Sequence, residues 1–241
     1  VTDNAILLDT MLGYDQKDSK AIETKLNGNM YSELEKISLK GKRFGAFKRL
    51  LKDSLYIQAI AVLKSKGATV VEIEEEDVKL PNFRRLLNLD MKTDLPLYSS
   101  NYGGKAITVK SVEDVIAFNK EDSINRMPYG QRLFNGIVDD TATEEEFSKI
   151  KNTLKTNGRT FFNTSMKAHN LDGFLSINNY HAGFAAVAEY PVLTVPMGYT
   201  QDGVPEGLTF VSKPFSEKRL LQWAYVYEQA SKRRKAPTNY N

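Results

Sequence analysis

The sequence has 241 residues, and its 33 lysines and arginines against 30 aspartates and glutamates give a formal net charge of +3. The absence of cysteine excludes disulfides, thiolate metal sites and a cysteine nucleophile. The small charge and the even spread of basic residues argue against nucleic-acid binding, and no apolar run approaches the ~20 residues of a membrane span. We therefore expect a cytoplasmic globular protein without nucleic-acid or membrane partners.

Apolar periodicity predicts helices and strands in alternation. A helix at 2–12 opens the chain, and the polar sequence up to Lys42 is predicted as loop with short helical turns. A helix at 53–65 then ends at Gly67, and a β-branched strand follows at 68–73. The remaining elements are helices at 82–98, 111–121, 129–138 and 143–169, strands at 173–177, 192–195 and 207–211, and a closing helix from Ser216 to about Arg233.

The helix–glycine–strand unit at 53–73 is typical of a sheet covered by helices. Ser111 and Asp114 form a variant of the capping box, which supports a helix start at that point. Neither an internal repeat nor a break in composition marks a linker. The sequence thus predicts an α/β fold in a single domain, residues 1–241.

An ordered set of motifs fills the C-terminal part. The segment 189–199 (EYPVLTVPMGY) places a short strand between prolines, and Asp202-Gly203 follows as a tight turn. The segments 204–211 (VPEGLTFV) and 214–217 (PFSE) come next, before a helix that ends in Tyr227-Glu228-Gln229-Ala230. This order resembles the C-terminal portion of the amidase signature family. The family's pattern is Gly-Tyr-Pro, a strand, Val-Pro-x-Gly, Gly-x-Pro-x-Gly-Leu, and a helix that ends in Glu-Gln-Ala-Thr.

The resemblance extends through the first helix, the segment 63–71, and segments at 90–95, 111–119 and 129–131 that fit the subgroup of bacterial amidases and aryl acylamidases. It implies the amidase signature fold, a mixed β-sheet covered by α-helices. It also implies hydrolysis of a carboxamide C–N bond without metal or cofactor. Family members use a Ser–Ser–Lys triad, with an oxyanion hole made by backbone N–H groups of a Gly/Ser-rich loop.

The sequence departs from the family in one respect, because no Gly-Gly-Ser-Ser-Gly stretch occurs in its 241 residues. The family places that signature before the helix that begins here at Thr2. The chain also starts at Val1 without a Met. We therefore expect the C-terminal half of an amidase whose catalytic N-terminal half is missing.

The resemblance also suggests where substrate binds. The end of the strand at 173–177 opens toward the acyl pocket in the family, so we predict Asn178, Asn179 and Tyr180 as substrate-binding residues, and Gln131 as a residue of the substrate channel. The alternatives are a turn whose Asn side chains cap local backbone, and helix packing for Gln131. His181 is interpreted as a hydrogen-bonded loop histidine and not as a base, and no catalytic or metal-ligating residue is predicted.

Three further clusters of residues resemble functional sites, but a simpler structural interpretation is favoured for each. Ser99 and Ser100, near Gly103-Gly104-Lys105, have the residue types of the triad in the wrong order and are predicted to lie in a flexible surface loop. The acidic run 74–77 is predicted as a solvated loop and not a cation site. The basic residues between Lys40 and Lys52 are predicted as a solvated face, although RNA contact would suit a related protein, the A subunit of the tRNA-dependent amidotransferase.

These interpretations predict a pocket-wall fragment that is inactive alone and that acts on a small-molecule amide together with its missing N-terminal half. An exposed sheet edge and the apolar face of the first helix predict association into a homo-oligomer. A non-catalytic binding or assembly module, or part of the A subunit of the amidotransferase, is the alternative.

Overall fold

The structure of the chain is a computed structural model that describes residues 1–18, 21–23 and 28–237. Its strands are β1 (Arg43–Phe47), β2 (Thr69–Ile73), β3 (Gly173–Ile177), β4 (Val192–Tyr199) and β5 (Pro205–Val211). Its helices are α1 (Thr2–Met11), α2 (Ser54–Ser65), α3 (Phe83–Tyr102), α4 (Val112–Glu121), α5 (Ser123–Arg126), α6 (Arg132–Asp139), α7 (Glu144–His169), α8 (Ala182–Ala188) and α9 (Glu217–Ser231). The α/β class predicted from the sequence is confirmed.

The described strands form one five-stranded mixed sheet in the order β2-β1-β3-β5-β4. β1 pairs in parallel with β2 and β3, whereas β5 pairs antiparallel with β3 and β4. Helix α2 provides the crossover that the parallel pair β1/β2 requires. A tight turn joins β4 to β5, and its Gly203 has a positive φ of 80°.

Two compact units account for the described residues: 79–156 form the second unit, and the described residues before and after them form the first. The sheet lies in the first unit, and aromatic side chains cover both of its faces. On one face the Phe44 ring lies 5.0 Å from Trp223 of α9. On the other, Phe47 lies 5.7 Å from Phe161 of α7. Such edge-on and tilted pairs contribute about 0.5–1.5 kcal/mol each beyond the burial of their area.

The second unit is helical, and side chains close the ends of its helices. Ser111 and Asp114 form the predicted capping box at the start of α4, with both hydrogen bonds present. The Arg85 guanidinium binds the Asp140 carboxylate through two hydrogen bonds, of 2.8 and 2.9 Å. The Lys92 ammonium donates to the carbonyl of the same Asp140, at 2.8 Å. The single-domain organisation predicted from the sequence stays a prediction.

Several elements of the structure differ from the sequence predictions. The strand β1 was not predicted, because Gly45 interrupts its apolar run and charged residues precede it. The short helix α8 was not predicted either. The 3-10 turn Leu34–Lys36 agrees with the loop and short helical turns predicted before Lys42, and residues 19–20 and 24–27 of that segment lie outside the described residues.

Candidate functional site

The turn after β3 locks the end of that strand to β5. Asn178 has a positive φ of 47°, a conformation that Asn tolerates better than most residues. Its backbone N–H donates to the Gly207 carbonyl at 2.9 Å, and its side-chain Oδ1 accepts from the Gly207 N–H at 2.7 Å. Asn178 is therefore a turn residue whose side chain caps backbone, but that backbone belongs to the neighbouring strand, 29 residues away, and not to the local turn.

A cavity of about 210 Å³ opens against the same turn. The strand register explains its polar floor, because Ser176 lies opposite Thr209 and Thr194 lies on the other side of Thr209, so that the three residues share one face of the sheet. The cavity is lined by Ser176, Asn178, Asn179, His181, Ala182, Val192, Thr194, Thr209 and Val211. We call Ser176, Thr209 and Thr194 the hydroxyl row.

His181 stands at the inner end of this row. Its side chain is buried, and the residue as a whole has only 3 % of its surface exposed. The Phe47 ring stacks on the imidazole with centroids 4.1 Å apart, and Phe161 lies 5.7 Å away. The Ser176 hydroxyl lies 2.6 Å from Nδ1, and the Glu75 carboxylate lies 3.2 Å from Nε2.

Burial lowers the pKa of His181, and the positive charge of Arg49 acts in the same direction, while the Glu75 carboxylate opposes both. At neutral pH and above the imidazole is therefore neutral, and its hydrogen-bond partners assign the tautomer. Glu75 is ion-paired with Arg49 at 2.8 Å and as a carboxylate only accepts hydrogen bonds. The proton of His181 is therefore on Nε2, and Nδ1 accepts from Ser176. The interpretation of His181 as a hydrogen-bonded loop histidine agrees with this geometry.

The predicted substrate-binding residues occupy different environments. Asn178 and Asn179 line the cavity, whereas Tyr180 follows in the turn with 54 % of its surface exposed. Gln131 lies in the second unit and is 9 % exposed. Its carboxamide accepts from Asn119 Nδ2 at 3.2 Å and donates to the Ile116 carbonyl at 3.4 Å. This is the helix-packing alternative, and a substrate role for each of the four stays a prediction.

Two of the simpler interpretations need correction. Ser99 and Ser100 do not lie in a loop, because α3 continues to Tyr102, and the Ser100 hydroxyl donates to the Pro96 carbonyl one turn earlier. The acidic run is not merely solvated. Glu74 is exposed and binds Lys48 at 2.8 Å, but Glu75 turns toward His181. Glu76 accepts from the buried Ser165 hydroxyl at 3.0 Å.

The basic residues between Lys40 and Lys52 bind groups of their own unit. Lys48 and Arg49 pair with the acidic run, Arg43 donates to the His169 carbonyl at 3.3 Å, and Lys42 lies 3.8 Å from Asp172. In the part of the chain that the structure describes, no group of three or more His, Cys, Asp and Glu side chains is placed to hold a metal ion. None of the helices in the described ranges combines the length and the apolar character of a membrane span.

Two solved structures match this fold over nearly the whole chain. An amidase family protein from Bacillus anthracis is 34 % identical with a TM-score of 0.87, over 98 % of this chain and 48 % of its own. The peptide amidase from Stenotrophomonas maltophilia is 27 % identical with the same TM-score of 0.87, over 100 % of this chain and 53 % of its own.

Curated relatives give the same result. A probable amidase of Arabidopsis thaliana is 27 % identical over 251 residues, which are 98 % of this chain and 48 % of the relative. Over nearly its whole length the chain is similar to proteins of the amidase signature family. Another relative, the A subunit of glutamyl-tRNA(Gln) amidotransferase from Ruminiclostridium cellulolyticum, is 27 % identical over 95 % of this chain and 53 % of its own length. The chain thus spans about half the length of the amidase signature relatives it matches, and no model of a protein family matches it.

Sequence reasoning found the turn at Asn178 but missed the hydroxyl row and Glu75. Ser176 lies in a buried strand, and Thr194 and Thr209 read as ordinary β-formers in theirs. Only the register of three strands places them together. Glu75 is 106 residues from His181, so no local pattern connects them.

Proposed function

We propose that this chain forms part of an enzyme that hydrolyses carboxamide C–N bonds, and that it contributes the wall of the substrate pocket and a flank of the sheet. The observation that carries the proposal is the likeness to the Bacillus anthracis amidase family protein over 98 % of the chain. The cavity beside Asn178 supports it, because its polar groups converge on a space large enough for a small substrate group.

In this proposal the reacting groups lie outside the chain. The family resemblance assigns nucleophilic attack to a serine of the Ser–Ser–Lys triad. The amine leaves as the acyl-enzyme forms, and water then hydrolyses the acyl-enzyme. The sequence holds no Gly-Gly-Ser-Ser-Gly stretch to supply the serines and the oxyanion donors. The chain alone is therefore inactive.

In this proposal the residues of the chain position the substrate and determine which substrate binds. Asn178 fixes the end of β3 against β5, and His181 orients the Ser176 hydroxyl. Both effects keep the hydroxyl row in place while a substrate binds, which lowers the entropic cost of reaching a reactive geometry. The likeness to a peptide amidase at 27 % identity makes the C-terminal carboxamide of a short peptide the first substrate to try.

The A subunit of the amidotransferase is a second candidate, because that relative is as similar in sequence as the Arabidopsis amidase, at 27 % identity. The two functions differ in the fate of the ammonia. Hydrolysis releases free ammonia into water, whereas an amidotransferase passes it to glutamyl-tRNA(Gln). Ammonia release from peptide amides without tRNA favours the hydrolase.

The test is an ammonia-release assay on the product of the reading frame that includes this chain and continues upstream of Val1. We expect release from benzamide or from peptide amides by that longer protein, and none by the isolated chain. Replacement of Ser99 and Ser100 by alanine should leave the rate of the longer protein unchanged. A longer protein that is correctly folded and hydrolyses no amide refutes the hydrolase and leaves the A subunit of the amidotransferase and the binding or assembly module.

A further inference from the structure

The hydroxyl row has a fixed hydrogen-bond polarity that follows from counting its protons. Thr209 Oγ1 lies 2.6 Å from the Asn178 carbonyl oxygen, which can only accept, so the Thr209 proton is directed there. Thr194 Oγ1 lies 2.7 Å from Thr209 Oγ1. Since Thr209 has no second proton, Thr194 is the donor of this bond. The hydroxyl protons of both threonines are therefore used in hydrogen bonds to protein acceptors.

Ser176 also uses its hydroxyl proton in a hydrogen bond to a protein acceptor. Its hydroxyl lies 2.6 Å from Nδ1 of His181, and the Glu75 carboxylate holds the imidazole proton on Nε2. Ser176 therefore donates to Nδ1. All three hydroxyl groups of the row have their single protons in bonds to the protein, and what remains on the three oxygens is lone pairs.

We propose that the hydroxyl row binds a nitrogen that carries N–H donors, either a primary ammonium or a carboxamide NH₂ group. The cavity over the row measures about 210 Å³, enough for such a group with a short substituent. Among the described residues that line it, none carries a charge when His181 is neutral. A ligand that offers only acceptors, such as a carboxylate, meets lone pairs on all three oxygens of the row, and only the carboxamide N–H groups of Asn178 and Asn179 at the edge of the cavity can replace its bonds to water.

The inference rests on the proposed function only for the identity of the physiological ligand, which would be the amino or carboxamide end of an amide substrate. The polarity of the row follows from distances within the chain. Binding to the isolated chain is consequently measurable whether or not any amide is hydrolysed, and the two proposals fail separately.

The experiment is a titration of the full chain, labelled with ¹³C at the threonine methyl groups, followed by NMR. Acetamide and methylammonium are the probes. N,N-dimethylacetamide, which lacks N–H groups, and acetate are the matched controls. We expect the methyl signals of Thr194 and Thr209 to shift with one or both probes and to stay in place with both controls. A response to methylammonium alone identifies an ammonium site, a response to acetamide alone identifies a carboxamide site, and either supports the proposal.

Variants test the role of individual oxygens. Thr194→Val keeps the shape of an exposed side chain and removes one acceptor, so we expect the probe to bind on the order of fivefold more weakly, the equivalent of one ordinary hydrogen bond. Ser176→Ala should have an effect of similar size. Thr164→Val is the control, because Thr164 is exposed on α7 and its hydroxyl bonds to the Thr160 carbonyl of its own helix.

The spectra of the unliganded variants show whether each is folded. Shifts of equal size with N,N-dimethylacetamide, or unchanged affinity in folded Thr194→Val and Ser176→Ala, overturn the proposal. A chain whose Thr194 and Thr209 methyl signals respond to neither probe at molar concentration overturns it as well.

Discussion

Gly158 lies where α7 passes so close to α8 that a methyl group has no room. A Cβ built on Gly158 would lie 2.7 Å from the Phe184 carbonyl oxygen and 2.8 Å from the Ala188 amide nitrogen. Both are backbone atoms of the helix that begins directly after His181. The contact therefore helps to hold the His181 end of the hydroxyl row, and Gly158→Ala tests it.

Two opposing effects set the size of the change. Alanine in place of glycine stabilises an unobstructed helix interior by about 0.5–1 kcal/mol. An extra methyl group forced into a packed contact costs about 1–3 kcal/mol. Because backbone atoms obstruct Gly158, we take the upper part of that range and expect a net loss of about 1–2 kcal/mol in the free energy of unfolding. Gly136→Ala in α6 meets nothing within 4 Å and should stabilise by the helix term alone.

Urea unfolding of Gly158→Ala is followed by the fluorescence of Trp223. This residue is the only tryptophan of the chain and is 1 % exposed in the core of the first unit. Circular dichroism of the helices follows Gly136→Ala in the second unit. The two variants should shift their midpoints in opposite directions at unchanged slope. A Gly158→Ala variant as stable as the parent, or more stable, refutes the reasoning about the close approach.

Three further outcomes follow from individual side chains. Burial lowers the pKa of His181 below its ordinary 6.5, so that on acidification the unfolded chain binds this proton before the folded chain does. The free energy of unfolding should therefore fall as the pH drops below 6.5, by at most ~1.4 kcal/mol per pH unit. Urea midpoints measured between pH 7.5 and 5 should fall less steeply in His181→Phe than in the parent chain. Asn178→Ala removes the acceptor of the Gly207 N–H and places alanine at the positive φ of position 178, so it should lower the free energy of unfolding, followed by Trp223 fluorescence, by about 1–3 kcal/mol. Asn178→Gly also loses the hydrogen bond but tolerates the positive φ, so it should lower the free energy of unfolding by less. Arg85→Lys breaks the two-bond pair with Asp140 and should lower the thermal midpoint of the second unit by circular dichroism, while Arg84→Lys on the exposed side of α3 should leave it unchanged.

Periodicity along the sequence was sufficient for the long elements. α7 has acids in its first turn and apolar residues at helical spacing, and it was predicted at 143–169 against the observed Glu144–His169. α8 was missed because its seven residues, mostly alanine, show no period that separates them from a loop. The predicted end of α3, at residue 98, came too early because Pro96 and the polar residues after it are typical of a helix end. The helix tolerates Pro96 and continues to Tyr102.

The site was predictable only where its residues are consecutive. Asn178 follows β3 directly, so the pattern of a strand followed by polar residues identified it. The hydroxyl row depends on which residue of β5 lies opposite which residue of β3 and β4, and a shift of one residue would turn every side chain to the other face. The role of His181 depends on Glu75 and on the aromatic rings of Phe47 and Phe161, which folding brings from distant parts of the chain.

The most direct measurement is ammonia release from a peptide amide by the isolated chain and by the longer protein proposed above, at matched concentrations. We expect the longer protein to release ammonia and the isolated chain to release none above the buffer. Release by the isolated chain that rises in proportion to its concentration, and that persists when Ser99 and Ser100 are both replaced by alanine, would contradict the assignment of this chain to the pocket wall alone.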